Sequence, residues 1–302
     1  MQYFKDWDEV IGSVKKLASV KRVVVAAAQD EHSLKAVAGV AKDGLVAPVL
    51  VGDRDRIRPL ADQVGLTVKD GDIRHEPDVE KAARLSVSLI RQGEGDFLMK
   101  GALETGQLLK AVVDKEEGLG LGRLMSHVAY QKIPAYHKML ITTDGGMVVY
   151  PTLEQKREIL ENAVSMLSAM GYDRPKVAVL AGVEKVNPKM PETVEAAALK
   201  EMNQKGEIRG CLVEGPISMD LALVREKAEI KKYESEVAGE ADILVMPNLC
   251  TGNCVGKAFV EMAGARMAGL IMGAKVPIVV TSRGSSAEEK YLSLVLAAAS
   301  VK

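Results

Sequence analysis

Short apolar runs alternate with amphipathic stretches along the whole chain, and this alternation restricts the fold more than any other feature. The runs Arg22–Ala28, Ala47–Val51, Asp96–Met99, Met139–Thr143, Lys176–Ala181, Cys211–Glu214, Ile243–Met246 and Val276–Thr281 read as buried strands. Each is short, apolar and bounded by turn-forming residues. Between them lie segments of helical period, among them Val79–Gln92, Glu154–Met170, Glu192–Lys205 and Asn253–Met272. Strand, helix and strand repeated in this way imply right-handed crossovers, a largely parallel sheet and the α/β class. With 302 residues the chain has room for about two domains. Aromatics make up only 4%, so the cores must be built from Val, Leu, Ile, Ala and Met, a composition suited to parallel sheets covered by helices.

Open parallel sheets bind ligands beyond the carboxyl ends of their strands, where loops converge and helix N-termini point inward. Those ends read Gln29-Asp30-Glu31, Val51-Gly52-Asp53, Met99-Lys100-Gly101, Thr142-Thr143-Asp144-Gly145-Gly146, Glu214-Gly215-Pro216, Pro247-Asn248-Leu249 and Thr281-Ser282-Arg283-Gly284. Any one of them is an ordinary strand-to-helix turn. As a set they place charged or hydroxyl groups beside glycine repeatedly. Tyr150-Pro151-Thr152 reads as a hinge, with Thr152 capping the helix that follows. There is no internal repeat or long linker, so the two domains are expected to pack closely and leave a cleft.

The formal net charge of -1 provides no global field for recruiting nucleic acid or an anionic membrane, so neither is expected as a partner. An anionic substrate must be held by local Arg, Lys and backbone N–H groups. Cys211, Cys250 and Cys254 read as free thiols, because the Cys250-x-x-x-Cys254 pair lacks a second pair at zinc-site spacing. No metal is expected. The acidic residues in Met1–Asp8 do not suit a secretion signal, and no apolar stretch reaches the ~18 residues of a membrane span. A soluble, cytoplasmic protein is expected. Signatures of zinc proteases, α/β-hydrolases, P-loops and ordinary dinucleotide folds are absent from the sequence.

Three segments carry candidate chemistry. In the first, Val276–Thr281 runs into Ser282-Arg283-Gly284-Ser285-Ser286-Ala287-Glu288-Glu289-Lys290. Gly284 lets backbone approach a ligand, and Ser285 or Ser286 can cap the next helix, with Glu288 and Glu289 in its first turn. This is either a well-capped helix or an anion cradle in which Arg283 takes two phosphate oxygens. The second segment is Met99–Thr105 followed by Lys110, where Lys100 and Lys110 are anion ligands or solvated surface charges. The third is Arg123–His127, with no partner for His127 visible in the sequence. Gly118–Gly122, with glycines at alternate positions, follows no strand and reads as a flexible loop.

Taken in order and spacing, these residues resemble the phosphate acetyltransferase and phosphate butyryltransferase family, more closely its butyryl branch. The resemblance runs nearly full length, through Ala28-Gln29-Asp30-Glu31, Leu50-Val51-Gly52-Asp53, Met99-Lys100-Gly101, Leu124–Ala129, Thr143-Asp144, Gly215-Pro216, Ala241–Leu244, Pro247-Asn248 and Thr281-Ser282-Arg283. It implies a fold like isocitrate and isopropylmalate dehydrogenases: two α/β domains, an active cleft between them, and a homodimer. The domains would be 1–143 with 283–302, and 144–282. The implied reaction is acyl-CoA plus phosphate giving acyl phosphate plus CoA, without metal or redox cofactor, coenzyme A serving as substrate. An acyl-phosphate kinase would be its metabolic neighbour.

By the same resemblance Ser282 stabilises the transition state and Arg283 holds phosphate, while Glu289 stands where the family has an aspartate base. Lys110 stands for a family arginine, and Glu261 reverses the charge of another. Lys100, Thr105, Lys110, Ser126, His127, Asp144, Asn248, Gly284 and Ser285 complete the expected substrate-binding set. A CoA thiol with a pKa near ~8.5 asks little of its base. The acyl chain expected is butyryl or similar. Acetyl-CoA is an alternative, since one methylene discriminates by only about 1–3 kcal/mol. A metal- and nicotinamide-dependent dehydrogenase of the same fold would need a carboxylate cluster that the sequence does not assemble. A non-catalytic CoA-binding protein is the remaining reading, kept open by Lys110, Glu261 and Glu289.

Overall fold

The computed structural model describes residues 3–281 and 284–301. Ser282 and Arg283, both expected catalytic residues, lie outside the described residues. The chain divides into two compact units, one of Trp7–Arg123 with Ala268–Lys302, the other of Met1–Asp6 with Leu124–Met267.

The first unit begins with α1 (Trp7–Lys15), β1 (Lys21–Ala26), α2 (Glu31–Lys42), β2 (Val46–Gly52), α3 (Arg54–Gln63), β3 (Ile73–His75), α4 (Val79–Arg91), β4 (Phe97–Lys100) and α5 (Thr105–Val112). The second unit holds β5 (Ser126–Lys132), β6 (Leu140–Thr143), α6 (Leu153–Ala169), β7 (Lys176–Leu180), α7 (Pro191–Gln204), β8 (Leu212–Ile217), α8 (Met219–Leu223), α9 (Arg225–Ile230), β9 (Ile243–Val245) and α10 (Leu249–Glu261). The chain then returns to the first unit through β10 (Arg266–Met272), β11 (Ile278–Val279) and α11 (Ala287–Ala299).

In the first unit the strand order is β3-β2-β1-β4-β11-β10, parallel except that β10 runs antiparallel to β11. The second unit has the order β5-β6-β9-β7-β8, parallel except for β5 against β6. The architecture is mixed α/β with mostly parallel strands. Valines and other apolar residues fill the strands, and β1 from Val23 onward is fully buried. Helix α11 is buried from Leu292 to Ala299 and packs on α1 and α2. Apolar faces of this kind give helices most of their stability. The expected capping of α6 is present, Thr152 Oγ1 accepting from the Gln155 N–H at 3.3 Å.

The helix expected over Asn253–Met272 is two elements. Helix α10 stops at Glu261, Gly264 turns the chain with φ +65°, and Arg266–Met272 forms a strand. A continuous apolar run fits a buried strand as well as a helix, and here length alone misled. Strands β3 and β5 escape the apolar-run criterion, because β5 includes Ser126, His127, Gln131 and Lys132. Gln131 is nevertheless fully buried and donates from Nε2 to Thr142 Oγ1 at 2.7 Å. The expected flexible loop at Gly118–Gly122 is pinned instead. Leu119 is buried, its N–H donates to the Val112 carbonyl at 2.7 Å, and its own carbonyl accepts from the Lys275 N–H at 2.8 Å. The compact units change at 6/7, 123/124 and 267/268. Strands β5 and β6 join the second unit because β6 pairs with β9, from Ile141 opposite Ile243 to Thr143 opposite Val245.

A buried ion pair ties the start of that second sheet together. Lys138 Nζ lies 2.6 Å from Asp242 Oδ1 and donates to the Glu240 carbonyl at 2.8 Å. The other Asp242 oxygen accepts from the Lys176 N–H at 2.7 Å, and both side chains are almost wholly buried. Removing one partner leaves the other charge buried, which costs about 3–5 kcal/mol. Asp242→Ala should therefore lower the urea midpoint by a corresponding amount. A loss below about 1 kcal/mol would show that water reaches Lys138 freely.

Candidate functional site

In the first unit the parallel strands end along one edge, and their loops enclose a cavity of 520 Å³. Asp30, His32 and Ser33 line it after β1, Lys100–Glu104 and Gln107 after β4, Thr281 after β11, and Lys290 from the first turn of α11. Helices α2 and α5 start at this rim, each with the positive end of its dipole, and α11 reaches it through Lys290. Asp30 caps α2, its carboxylate accepting from the Ser33 N–H at 2.8 Å.

Close backbone approach builds the cavity floor. The Gly101 N–H donates to the Ala26 carbonyl at 2.9 Å and the Ala102 N–H to the Ala27 carbonyl at 2.7 Å. A Cβ on Gly101 would stand 2.3 Å from the Ala27 oxygen, so no side chain fits there. Lys100 Nζ donates to the Leu103 carbonyl at 2.9 Å and the Gly101 carbonyl at 3.2 Å, which folds the ammonium over the loop.

Helix α11 is capped by Ser286, whose Oγ accepts from the Glu289 N–H at 3.0 Å. Ser285 Oγ donates to Glu289 Oε1 at 2.7 Å, so Glu289 and Ser285 form one hydrogen-bonded unit at the helix start. Glu289 is half-buried and stands outside the residues lining the cavity, while its neighbour Lys290 is among them. Gly284 is exposed in the preceding turn. Thr105 opens α5 half-buried. Lys110 is exposed and faces a separate groove of 230 Å³ with Arg84, Arg91 and Asp114. The structure thus brings Lys100 to the cavity and leaves Lys110 out of it.

The remaining candidates lie at strand ends of the second unit. Asp144 follows β6 and is 3% exposed. Its Oδ1 accepts from the N–H groups of Gly146 at 2.6 Å and Met147 at 2.9 Å, and its Oδ2 from those of His127 at 3.1 Å and Val148 at 3.3 Å. Four backbone donors occupy this carboxylate, which makes it the organiser of the loop. Gly145 meets Gly252 of α10 so closely that a Cβ on Gly252 would lie 2.4 Å from the Asp144 carbonyl oxygen. Asn248 caps α10 through the Thr251 N–H at 3.0 Å, and Asn253 Nδ2 donates to the Gly145 carbonyl at 3.1 Å. Ser126 is fully buried and takes a hydrogen bond from Asn162 Nδ2 at 2.9 Å, so its hydroxyl serves packing of β5 on α6. The peptide bonds Thr143–Asp144 and Gly215–Pro216 are cis.

Sequence reasoning missed Asp30, His32, Gln107 and Lys290 as lining residues. For Lys290 a signal existed: it opens the buried face of α11, where a lysine among apolar residues needs a reason. Among the described residues no group of three or more His, Cys, Asp or Glu side chains is arranged to hold a metal ion.

His127 is partly buried against Gly146, and loss of hydration pushes its pKa below the usual 6.5, outweighing the opposing pull of Asp144. The folded protein therefore holds this proton less readily than the unfolded chain does. The resulting stability is complete above about pH 6.5 and is lost as pH falls through the lower folded value. An NMR titration, with the signal assigned by its loss in His127→Gln, should give a midpoint below 6.5. A midpoint at or above that value would show that Asp144 dominates.

Comparison with known proteins places this geometry in a family. The family model described as phosphate acetyl/butaryl transferase matches residues 73–298. A phosphate butyryltransferase of Clostridium acetobutylicum is 42% identical over 97% of this chain and 97% of its own length. A phosphate acetyltransferase of Thermotoga maritima is 43% identical over 92% of this chain and 94% of its own. Among solved structures, a branched-chain phosphotransacylase from Enterococcus faecalis V583 superposes with a TM-score of 0.82 at 31% identity, covering 93% of this chain and 99% of that one. The chain belongs to the phosphate acetyltransferase and phosphate butyryltransferase family.

Proposed function

We propose that this enzyme moves a short acyl group between coenzyme A and phosphate, converting acyl-CoA and phosphate to acyl phosphate and CoA. The observation that carries the reading is the 42% identity to a phosphate butyryltransferase across nearly the whole of both chains. The cavity at the strand ends fits it, with two lysines and the N-termini of α2 and α5 in a protein of net charge -1. Butyryl or a similar chain is our first reading of the acyl group. Acetyl is the second, favoured by 43% identity to a phosphate acetyltransferase.

In the direction of acyl-CoA synthesis, the thiolate of CoA attacks the carbonyl carbon of the acyl phosphate. The C–S bond forms, the carbonyl oxygen takes up charge, and the C–O bond breaks as phosphate leaves with the electron pair. Ser282 donates to the oxyanion, Arg283 pairs with the phosphate, and Glu289 takes the thiol proton. Ser285, through its hydrogen bond to Oε1, orients that carboxylate at the start of α11. Lys100 and Gly284 contact substrate. Thr105 acts from α5, Lys110 faces a separate groove, and the second unit's candidates for substrate binding are His127, Asp144, Asn248 and Ser126. The two compact units are read as the two domains of an isocitrate- and isopropylmalate-dehydrogenase-like fold. The same reading makes the protein a cytoplasmic homodimer, working beside an acyl-phosphate kinase and needing no metal or redox cofactor. No helix among the described residues is long and apolar enough to cross a membrane.

Thiol release from acyl-CoAs of increasing chain length tests the reading. Release should depend on phosphate and peak near four carbons; no phosphate-dependent release at any length would sink it, and a peak at acetyl would favour the second reading. Ser282→Ala should lower kcat by roughly 10²–10³-fold, the usual cost of one oxyanion donor. Unchanged turnover in Glu289→Gln would remove Glu289 as the base.

A further inference from the structure

We propose that Lys290 is a substrate-binding residue, which with Lys100 forms a phosphoryl-anion subsite in the cavity of the first unit. The inference deepens the acyl-transfer reading and rests on it for the identity of the anion. Lys290 is 7% exposed, yet it lines a cavity of 520 Å³. Its ammonium carries three donors. Among the described residues its one hydrogen bond is a long one, 3.4 Å to the Ser285 carbonyl, and it forms no ion pair. Buried cations are ordinarily paired, because the interior does not replace the hydration they lose. The other buried lysines follow that rule: Lys138 has Asp242 at 2.6 Å, and Lys156 has Glu195. Lys290 departs from it, and it does so only where its side chain borders a cavity.

The surroundings favour a compact, multiply charged anion. Lys100 lines the same space from the end of β4, and the first residues of α2 and α5 line it as well. Of the carboxylates on the wall, Asp30 is engaged in capping α2, and Glu104 is exposed at the start of α5. Neither forms an ion pair with Lys290. A tetrahedral phosphoryl group supplies several acceptor oxygens to ammonium and backbone donors at once, which a carboxylate does less well. Two substrates of the proposed reaction bring such a group, the phosphate that accepts the acyl chain and the phosphates of CoA.

The test uses full-length protein and the variants Lys290→Met and Lys290→Arg. Methionine keeps the stem of the side chain and removes the charge, and arginine restores a charge. Inorganic phosphate and desulfo-CoA are titrated by calorimetry, and KM for phosphate and for CoA is measured beside kcat. Lys290→Met should weaken one ligand by roughly 10- to 100-fold, the usual worth of a charge-assisted hydrogen bond, with the other ligand and the thermal midpoint little changed. Lys290→Arg should recover part of the loss. Weakened phosphate assigns the subsite to the acyl acceptor, and weakened desulfo-CoA assigns it to the CoA phosphates. Equal affinity of Lys290→Met and wild type for both ligands overturns the proposal, as does a fall in thermal midpoint with kcat and both KM values shifted alike. Anion binding by wild type without turnover of any acyl-CoA would refute the acyl-transfer reading and leave the subsite standing.

Discussion

The register of β1 against β4 is the constraint on which the cavity depends. Ala26 lies opposite Lys100, and the two chains leave their strands still bonded, Gly101 to Ala26 and Ala102 to Ala27. Ala27 takes a positive φ of 53° there, a conformation rarely adopted with a side chain, and Gly101 has no room for one. A one-residue slip would turn Lys100 to the other face of the sheet. On the far side of β4, Val279 of β11 pairs with Met99, which delivers Thr281 and the start of α11 to the same edge. One backbone register thus sets where Lys100 and the start of α5 stand at the cavity.

The two units organise their strand ends by opposite electrostatic means. In the first, Lys100, Lys290 and the first residues of α2 and α5 line a cavity. In the second, Asp144 turns the N–H groups of a whole loop toward itself, so positive potential there is spent internally. The glycines at 145 and 252 let α10 approach that loop at backbone distance. A rigid loop of this kind can hold His127 in an environment dry enough to keep the imidazole neutral near pH 7.

Much of this architecture is readable from the sequence, since apolar runs such as Ile243–Met246 and helical periods such as Val79–Gln92 have one good solution each. The polar strand β5 and the divided segment Asn253–Met272 do not. In β5 buried polar groups find partners outside the strand, as Gln131 Nε2 does in Thr142 Oγ1. In the second case a single glycine decides between helix and strand. Lys100 was legible in the sequence because it sits directly at a strand end. For Lys290 the apolar residues after it in α11 were a signal, while its place at the cavity depends on how α11 docks. Lys110 shows the converse: it is near Lys100 in sequence, but α5 turns it toward another groove.

Helix α11 combines two duties that many folds keep apart. Its body, Leu292–Ala299, is interior packing for the first unit, while its first turn carries Glu289 and Lys290. A nascent chain that has emerged only as far as α10 has β1 and β4 in hand and Lys100 in place. It still lacks β11 and α11, and with them the second lysine and part of the hydrophobic interior. Packing of α11 on the first unit therefore places Lys290 and fills the interior together.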